Sequence, residues 1–124
     1  MAEIQKTKHY DLEERTFEFA QRCREFVKRL TRTISTIEYG KQLIRSSGSQ
    51  AANYIEANES ISRKDFLHRI RICRKEAKES RLWLRLIDIG DVGALQQEQE
   101  ALIQESLELT KIFGSILEKS QKIE

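Results

Sequence analysis

The chain has 124 residues, enough for one domain with a modest hydrophobic core. Charged residues make up 34%, aromatics 7%, and proline is absent, a mix that suits long helices with solvated faces. The formal net charge of +2 supplies no global field toward nucleic acid or membrane, and no stretch approaches the ~20 apolar residues of a membrane span.

The N-terminal MAEIQKTKHY lacks the apolar core of a signal peptide, so a cytoplasmic protein without a membrane partner is expected. Asp11 followed by Glu14 then has capping-box form and opens a first predicted helix, at about 12–31. Leu12, Phe19, Cys23, Phe26, Val27 and Leu30 recur on one face of it. Cys23 and Cys73 stand about fifty residues apart with no CxxC pair, which reads as two reduced core thiols.

Ser35 followed by Glu38 marks a second helix at about 36–58. Its middle carries Ser46, Ser47, Gly48 and Ser49, a run that could be a phosphate-cradling loop or a helix of small residues. GxxxxGK[ST] and GxGxxG are both absent, and no strand precedes the run. Ile37, Gly40, Ile44, Ser47, Ala51, Ile55 and Asn58 form one stripe at helical spacing, with Gly48 and Ala52 beside it. A helix with close backbone packing at Gly40, Ser47, Gly48 and Ala51 is therefore predicted, the contacts offsetting about 1 kcal/mol of propensity lost per interior glycine.

Ser62 followed by Asp65 starts a third helix at about 63–89. Phe66, Ile70, Cys73, Ala77, Leu84 and Ile87 form its apolar face. Residues 62–90 hold nine Lys and Arg against four Asp and Glu, and Arg71, Arg74, Lys75, Lys78, Arg81 and Arg85 share one arc. Such a ridge can neutralise successive phosphates of RNA or DNA without reading bases. The competing reading is a solvated face paired with acids of the next helix. No aromatic residue interleaves with the arc, so base stacking is not indicated.

Gly90, Asp91 and Gly93 break the chain before a fourth helix at about 94–120. Leu95, Leu102, Leu109, Phe113 and Ile116 give one stripe, and Ile103, Leu107, Thr110, Gly114 and Leu117 a second. Ile72, Trp83 and Leu86 also fall outside the main seam of helix three. A second apolar stripe on a bundle helix predicts another buried surface, with subunit association the simplest cause. The fold class expected is all-α: an antiparallel up-down four-helix bundle, one domain over 1–124, that self-associates.

Catalytic and metal patterns do not emerge. His9 and His68 are the only histidines, His9 being expected exposed ahead of the first helix. Asp65 and His68 share a helix face, but no Glu-x-x-His pair of a di-iron bundle is present. Glu76, Asn53 and Glu56 project to the edges of apolar faces and read as hydrogen-bonded structural groups. No catalytic residue, metal or cofactor is assigned.

The segments GKQLIRSSGSQAANYIEANES and KDFLHRIRICRKEAKESRLWLRLI carry a resemblance. Gly40, Gln42, Leu43, Arg45, Ser46, Ser49, Ala52, Asn53, Glu56, Ala57, Phe66, Lys75, Glu76, Ala77, Glu79, Ser80, Trp83 and Leu84 hold its composite motifs, over roughly 12–117. The chain resembles the bacterial four-helix bundle proteins encoded by 23S rRNA intervening sequences. The resemblance implies a homopentameric ring and supplies no catalytic residues. It extends to the accessory variability determinant proteins of diversity-generating retroelements, which bind nucleic acid and a reverse transcriptase, so RNA, DNA or a protein such as a reverse transcriptase are the partners it implies. This chain departs from those accessory proteins in its balanced charge. The expectation is a non-enzymatic oligomeric accessory protein that uses the helix-three ridge, or alternatively a protein-interaction scaffold.

Overall fold

The computed structural model describes residues 2–122, with side-chain surroundings for 12–120. Four helices account for nearly all of it: α1 (Ala2–Lys28), α2 (Ile34–Asn58), α3 (Arg63–Leu86) and α4 (Gly93–Lys122). No strand occurs among the described residues. α2 packs on α1 and α3, and α4 on α1 and α3, so the four surround a shared core of a helical bundle. No helix among the described residues is long and apolar enough to cross a membrane.

Local chemistry explains where the helices begin and end, and several expected boundaries move. α1 starts at Ala2, so the Asp11–Glu14 pair lies within the helix and not at its start. The exposure expected of His9 lies outside the described side chains. α2 is capped two residues ahead of Ser35: the Thr33 hydroxyl accepts from Thr36 N at 3.1 Å, and Thr33 N donates to Thr36 Oγ1 at 2.8 Å. Threonine thus fills both halves of the reciprocal cap expected of Ser35 and Glu38. Ser62 caps α3 as expected, accepting from Asp65 N. α3 stops at Leu86 rather than at 89. Gln99 on α4 reaches over and donates from Nε2 to the carbonyls of Leu84 and Ile87, both at 2.8 Å, satisfying the C-terminal acceptors of α3. The turn that follows uses Gly90 at φ +64°, a conformation that costs glycine little, with Gly90 N donating to Asp88 Oδ1.

The core unites Phe19, Cys23 and Phe26 of α1, Leu43 and Tyr54 of α2, Ile70, Cys73 and Leu84 of α3, and Leu95, Leu102, Leu109 and Phe113 of α4. A polar minority runs through it. Thr16, Ser46, Ser47, Gln50, Ser80 and Ser106 are all buried. The Ser46–Ser49 run is helical throughout.

The small-residue stripe of α2 needs correction. Its inward face is Thr36, Gly40, Leu43, Ser46, Ser47, Gln50, Tyr54 and Ala57. Ile44, Gly48 and Ile55 are exposed and Ala51 is half-buried. Ser and Gln stand where apolar residues would be sought, so reading for hydrophobicity placed the seam too far round the helix. Gly40 and Ser47 do sit at packed positions. A Cβ on Gly40 would lie 3.0 Å from Val27 Cγ1, whereas one on Gly48 would meet nothing within 4 Å.

Candidate nucleic-acid interface

Two polar regions distinguish α3, and they lie on its opposite flanks. On the α2 side, residues of the composite motif form a continuous network. Ser49 Oγ donates to Glu76 Oε2 at 2.8 Å, Asn53 Nδ2 donates to Ser49 O at 2.9 Å, and Arg69 Nη1 donates to Asn53 Oδ1 at 2.9 Å. Arg69 also stands 3.8 Å from Glu56, and Arg45 bridges Glu79 at 3.7 Å and Glu76 at 4.0 Å. Glu76 is buried, and its Oε1 has no protein donor. Trp83 is half-buried and stacks on Tyr39 with ring centroids 5.8 Å apart. Arg45, Asn53, Glu56, Glu76 and Trp83 thus join α2 to α3. The geometry is that of a structural clasp, in which each carboxylate has a cation or hydroxyl against it.

On the α4 side lies the basic ridge. Arg71, Arg74, Lys75 and Lys78 line an open groove of about 450 Å³ with Glu79 and Leu117. It continues past Arg71 and Arg74 onto Lys111, Gly114, Ser115 and Glu118 of α4. A Cβ on Gly114 would lie 3.6 Å from Arg74 Nε, so the guanidinium rests against the bare backbone of α4. Lys111, which sequence reasoning left out of the ridge, joins it across the groove. Its signal was present in the second stripe of α4, because Lys111 neighbours Thr110 and Gly114 there. Arg81 is half-buried, with its Nε shielded from solvent and without a protein acceptor. Arg85 is exposed.

The pairing of charges bears on the two readings of the ridge. Arg15 of α1 grips Glu105 through Nε and Nη2 at 2.9 and 2.8 Å and reaches Glu108 at 3.0 Å. Arg22 holds Glu98 at 3.0 Å. Hydrogen bonds donated to these carboxylates raise both guanidinium pKa values above the ordinary arginine value, Glu105 acting on Arg15 and Glu98 on Arg22. The Glu108 carboxyl is lowered, first by Gln104 and then by Arg15. Three acids of α4 are therefore committed to α1. Among the described residues no carboxylate forms an ion pair with Arg71, Arg74, Lys78, Arg81, Arg85 or Lys111; Lys75 alone reaches Glu79, at 4.0 Å. The solvated-face reading looked to acids such as those of α4, and Glu98, Glu105 and Glu108 are turned to α1, while Glu118 lies on the groove.

The second apolar stripe of α4 is largely spent inside the molecule. Leu117 is buried, and Ile103, Leu107, Thr110 and Gly114 are half-buried. Among the described residues no group of three or more His, Cys, Asp or Glu side chains is placed to hold a metal ion.

A family model described as 23S rRNA-intervening sequence protein matches residues 8–115. A crystal structure of a protein with unknown function from the S23 ribosomal protein family, from Bacteroides thetaiotaomicron, is 29% identical with a TM-score of 0.68; the match covers 86% of this chain and 97% of that one. No curated protein matches the chain.

Proposed function

The chain belongs to the 23S rRNA-intervening sequence protein family, and from that premise we propose a non-enzymatic, self-associating accessory protein that binds the phosphate backbone of RNA or DNA along the α3–α4 groove. The observation that carries this reading is the unneutralised row Arg71, Arg74 and Lys78, faced by Lys111, while Glu98, Glu105 and Glu108 are held by α1. From Arg71 to Arg85 the ridge runs about 21 Å at helical rise, enough to follow several phosphates. It carries no aromatic platform, so contact is with the backbone and not with bases.

The topology is read as up-down. Arg15 meets Glu105 while Arg22 meets Glu98, and Ser46 meets Ser80 while Asn53 meets Arg69, so numbers rise on one helix as they fall on its neighbour. Copies are taken to assemble into a ring, which would repeat the ridge around an axis and add its local fields. The groups that a catalytic reading would use are engaged in structure, since Glu76 sits within the α2–α3 clasp. A protein-interaction scaffold is the second reading, favoured by large apolar side chains left exposed on α1, α2 and α3.

The test is retention on generic RNA and DNA at two salt concentrations, with Arg71→Glu/Arg74→Glu as the comparison. The reading expects retention at low salt that falls roughly 10²-fold over a fourfold rise in salt, for about four phosphates neutralised. The double reversal should abolish it. Unchanged retention in that variant, or none in the parent protein, leaves the scaffold reading.

A further inference from the structure

The end of the α3–α4 groove at Arg71 differs in composition from the rest of the ridge. There Arg71 and Arg74 of α3 and Lys111, Gly114, Ser115 and Glu118 of α4 line one depression of about 520 Å³. Its cations come from two helices. The neighbouring depression, with Lys75 and Lys78, takes its cations from α3 alone.

Two residues of α4 are set up for a ligand and not for the fold. Ser115 is half-buried on this depression. Thr16, Ser46, Ser47, Ser106 and Thr110 each donate to a carbonyl three or four residues earlier in their own helix. Ser115 makes no such bond and has no hydrogen-bond partner among the described residues, so its hydroxyl proton is free for another acceptor. Gly114 precedes it. A Cβ there would stand 3.6 Å from Arg74 Nε, an ordinary van der Waals contact, so packing within the chain has room for alanine. Glycine nevertheless costs about 1 kcal/mol of helix propensity. Its effect is to bare the backbone between Arg74 and Ser115 and let a ligand oxygen approach.

Charge indicates which ligand. Three cations against one carboxylate leave the depression a surplus of two positive charges. A phosphodiester within a strand carries one negative charge, whereas a phosphomonoester carries about 1.5 to 2 at neutral pH and presents three strong acceptor oxygens. Arg71 and Arg74 offer forked donors for those oxygens, and Lys111 and Ser115 offer single ones. We infer that this end of the groove is a seat for a terminal phosphate, the phosphomonoester at one end of an RNA or DNA strand. Arg71 and Arg74 also line the depression that holds Lys75 and Lys78, so the strand runs on from the seat along α3. This rests on the nucleic-acid reading above and names the part of the ligand that the groove holds best.

Short RNA and DNA oligonucleotides of one sequence test it, each made with a 5′-phosphate, with a 3′-phosphate, or with hydroxyls at both ends. In filter binding at low salt, one of the two phosphate-ended forms should bind about tenfold more tightly than the hydroxyl-ended form, the worth of one charge-assisted hydrogen bond. Lys111→Gln and Ser115→Asp should each remove that advantage while still retaining the hydroxyl-ended strand, with the helical circular dichroism of the parent protein. Equal binding of all three forms by the parent overturns the seat and leaves the groove reading standing. An advantage that survives both substitutions overturns its placement at Lys111 and Ser115. A nucleoside monophosphate that competes as strongly as the phosphate-ended strand would make the ligand a small phosphomonoester and overturn the strand end. Retention of no form, RNA or DNA, overturns the groove reading and the seat together.

Discussion

Ser46 Oγ and Ser80 Oγ lie 2.7 Å apart, both fully buried, where α2 crosses α3. Ser46 Oγ also lies 3.3 Å from Leu43 O, so the arrangement that satisfies both hydroxyls has Ser46 donating back to its own helix and Ser80 donating to Ser46. Two small side chains linked this way hold two backbones close with no buried polar atom left over.

Ser80→Ala is expected to destabilise by about 1 kcal/mol, since it removes one bond and leaves Ser46 its local acceptor. Ser46→Ala should cost about 1–2 kcal/mol, because Ser80 then has no partner. The double variant should be more stable than the sum of the singles implies, with a coupling of about 1 kcal/mol in urea denaturation. Strict additivity would mean the two hydroxyls do not interact.

The two glycines of α2 should respond in opposite ways. Gly48→Ala gains helix propensity in open space and should stabilise the isolated chain by about 1 kcal/mol. Gly40→Ala sets a methyl 3.0 Å from Val27 Cγ1, and the strain should cancel or exceed that gain. Combining Gly40→Ala with Val27→Ala should recover part of the loss. Thermal melts of the three variants and the parent protein make the check. Equal shifts for the two glycines would contradict the seam.

Paired and unpaired arginines should separate stability from binding. Arg15→Ala strips Glu105 of a part-buried bidentate partner and should cost about 1–3 kcal/mol, with RNA retention unchanged. Arg74→Ala should weaken retention while moving stability by no more than about 0.5 kcal/mol. Denaturation and filter binding on the same two proteins make the check. The opposite pattern would place the functional cations on the wrong helix.

Alkaline pH should loosen the fold through its cysteines. Burial pushes the Cys23 and Cys73 thiols up to about 12 from an ordinary value of 9.0. The folded state therefore keeps protons that the unfolded state releases in this window. Stability from this source is complete below pH 9 and is lost as pH rises toward 12, by up to about 1.4 kcal/mol per pH unit for each thiol. Urea midpoints at pH 8, 9.5 and 10.5 should fall more steeply in the parent protein than in Cys23→Ala/Cys73→Ala. Parallel slopes would assign the loss to lysine and tyrosine alone. The same burial should keep both thiols unreactive toward alkylating reagents until the chain unfolds.

Sequence alone determined that the chain makes four helices. Periodicity of Phe19–Cys23–Phe26 and Ile70–Cys73–Ala77, the Ser62 cap and the Gly90–Gly93 break are local properties, set by side-chain spacing and by hydrogen bonds over a few residues. The arc of cations on α3 was legible for the same reason, because helical geometry fixes which side chains share a face. What sequence could not decide was which neighbour each face meets. Ser46, Ser47 and Gln50 turn inward and Ile44 and Ile55 outward because packing partners, and not hydropathy, select the buried arc of α2. Glu98, Glu105 and Glu108 neutralise α1 rather than α3, a choice that depends on how α4 is rotated about its axis. That rotation arises only when all four helices close on one core. It is what leaves Arg71, Arg74 and Lys111 lining a groove without an ion pair to a carboxylate among the described residues.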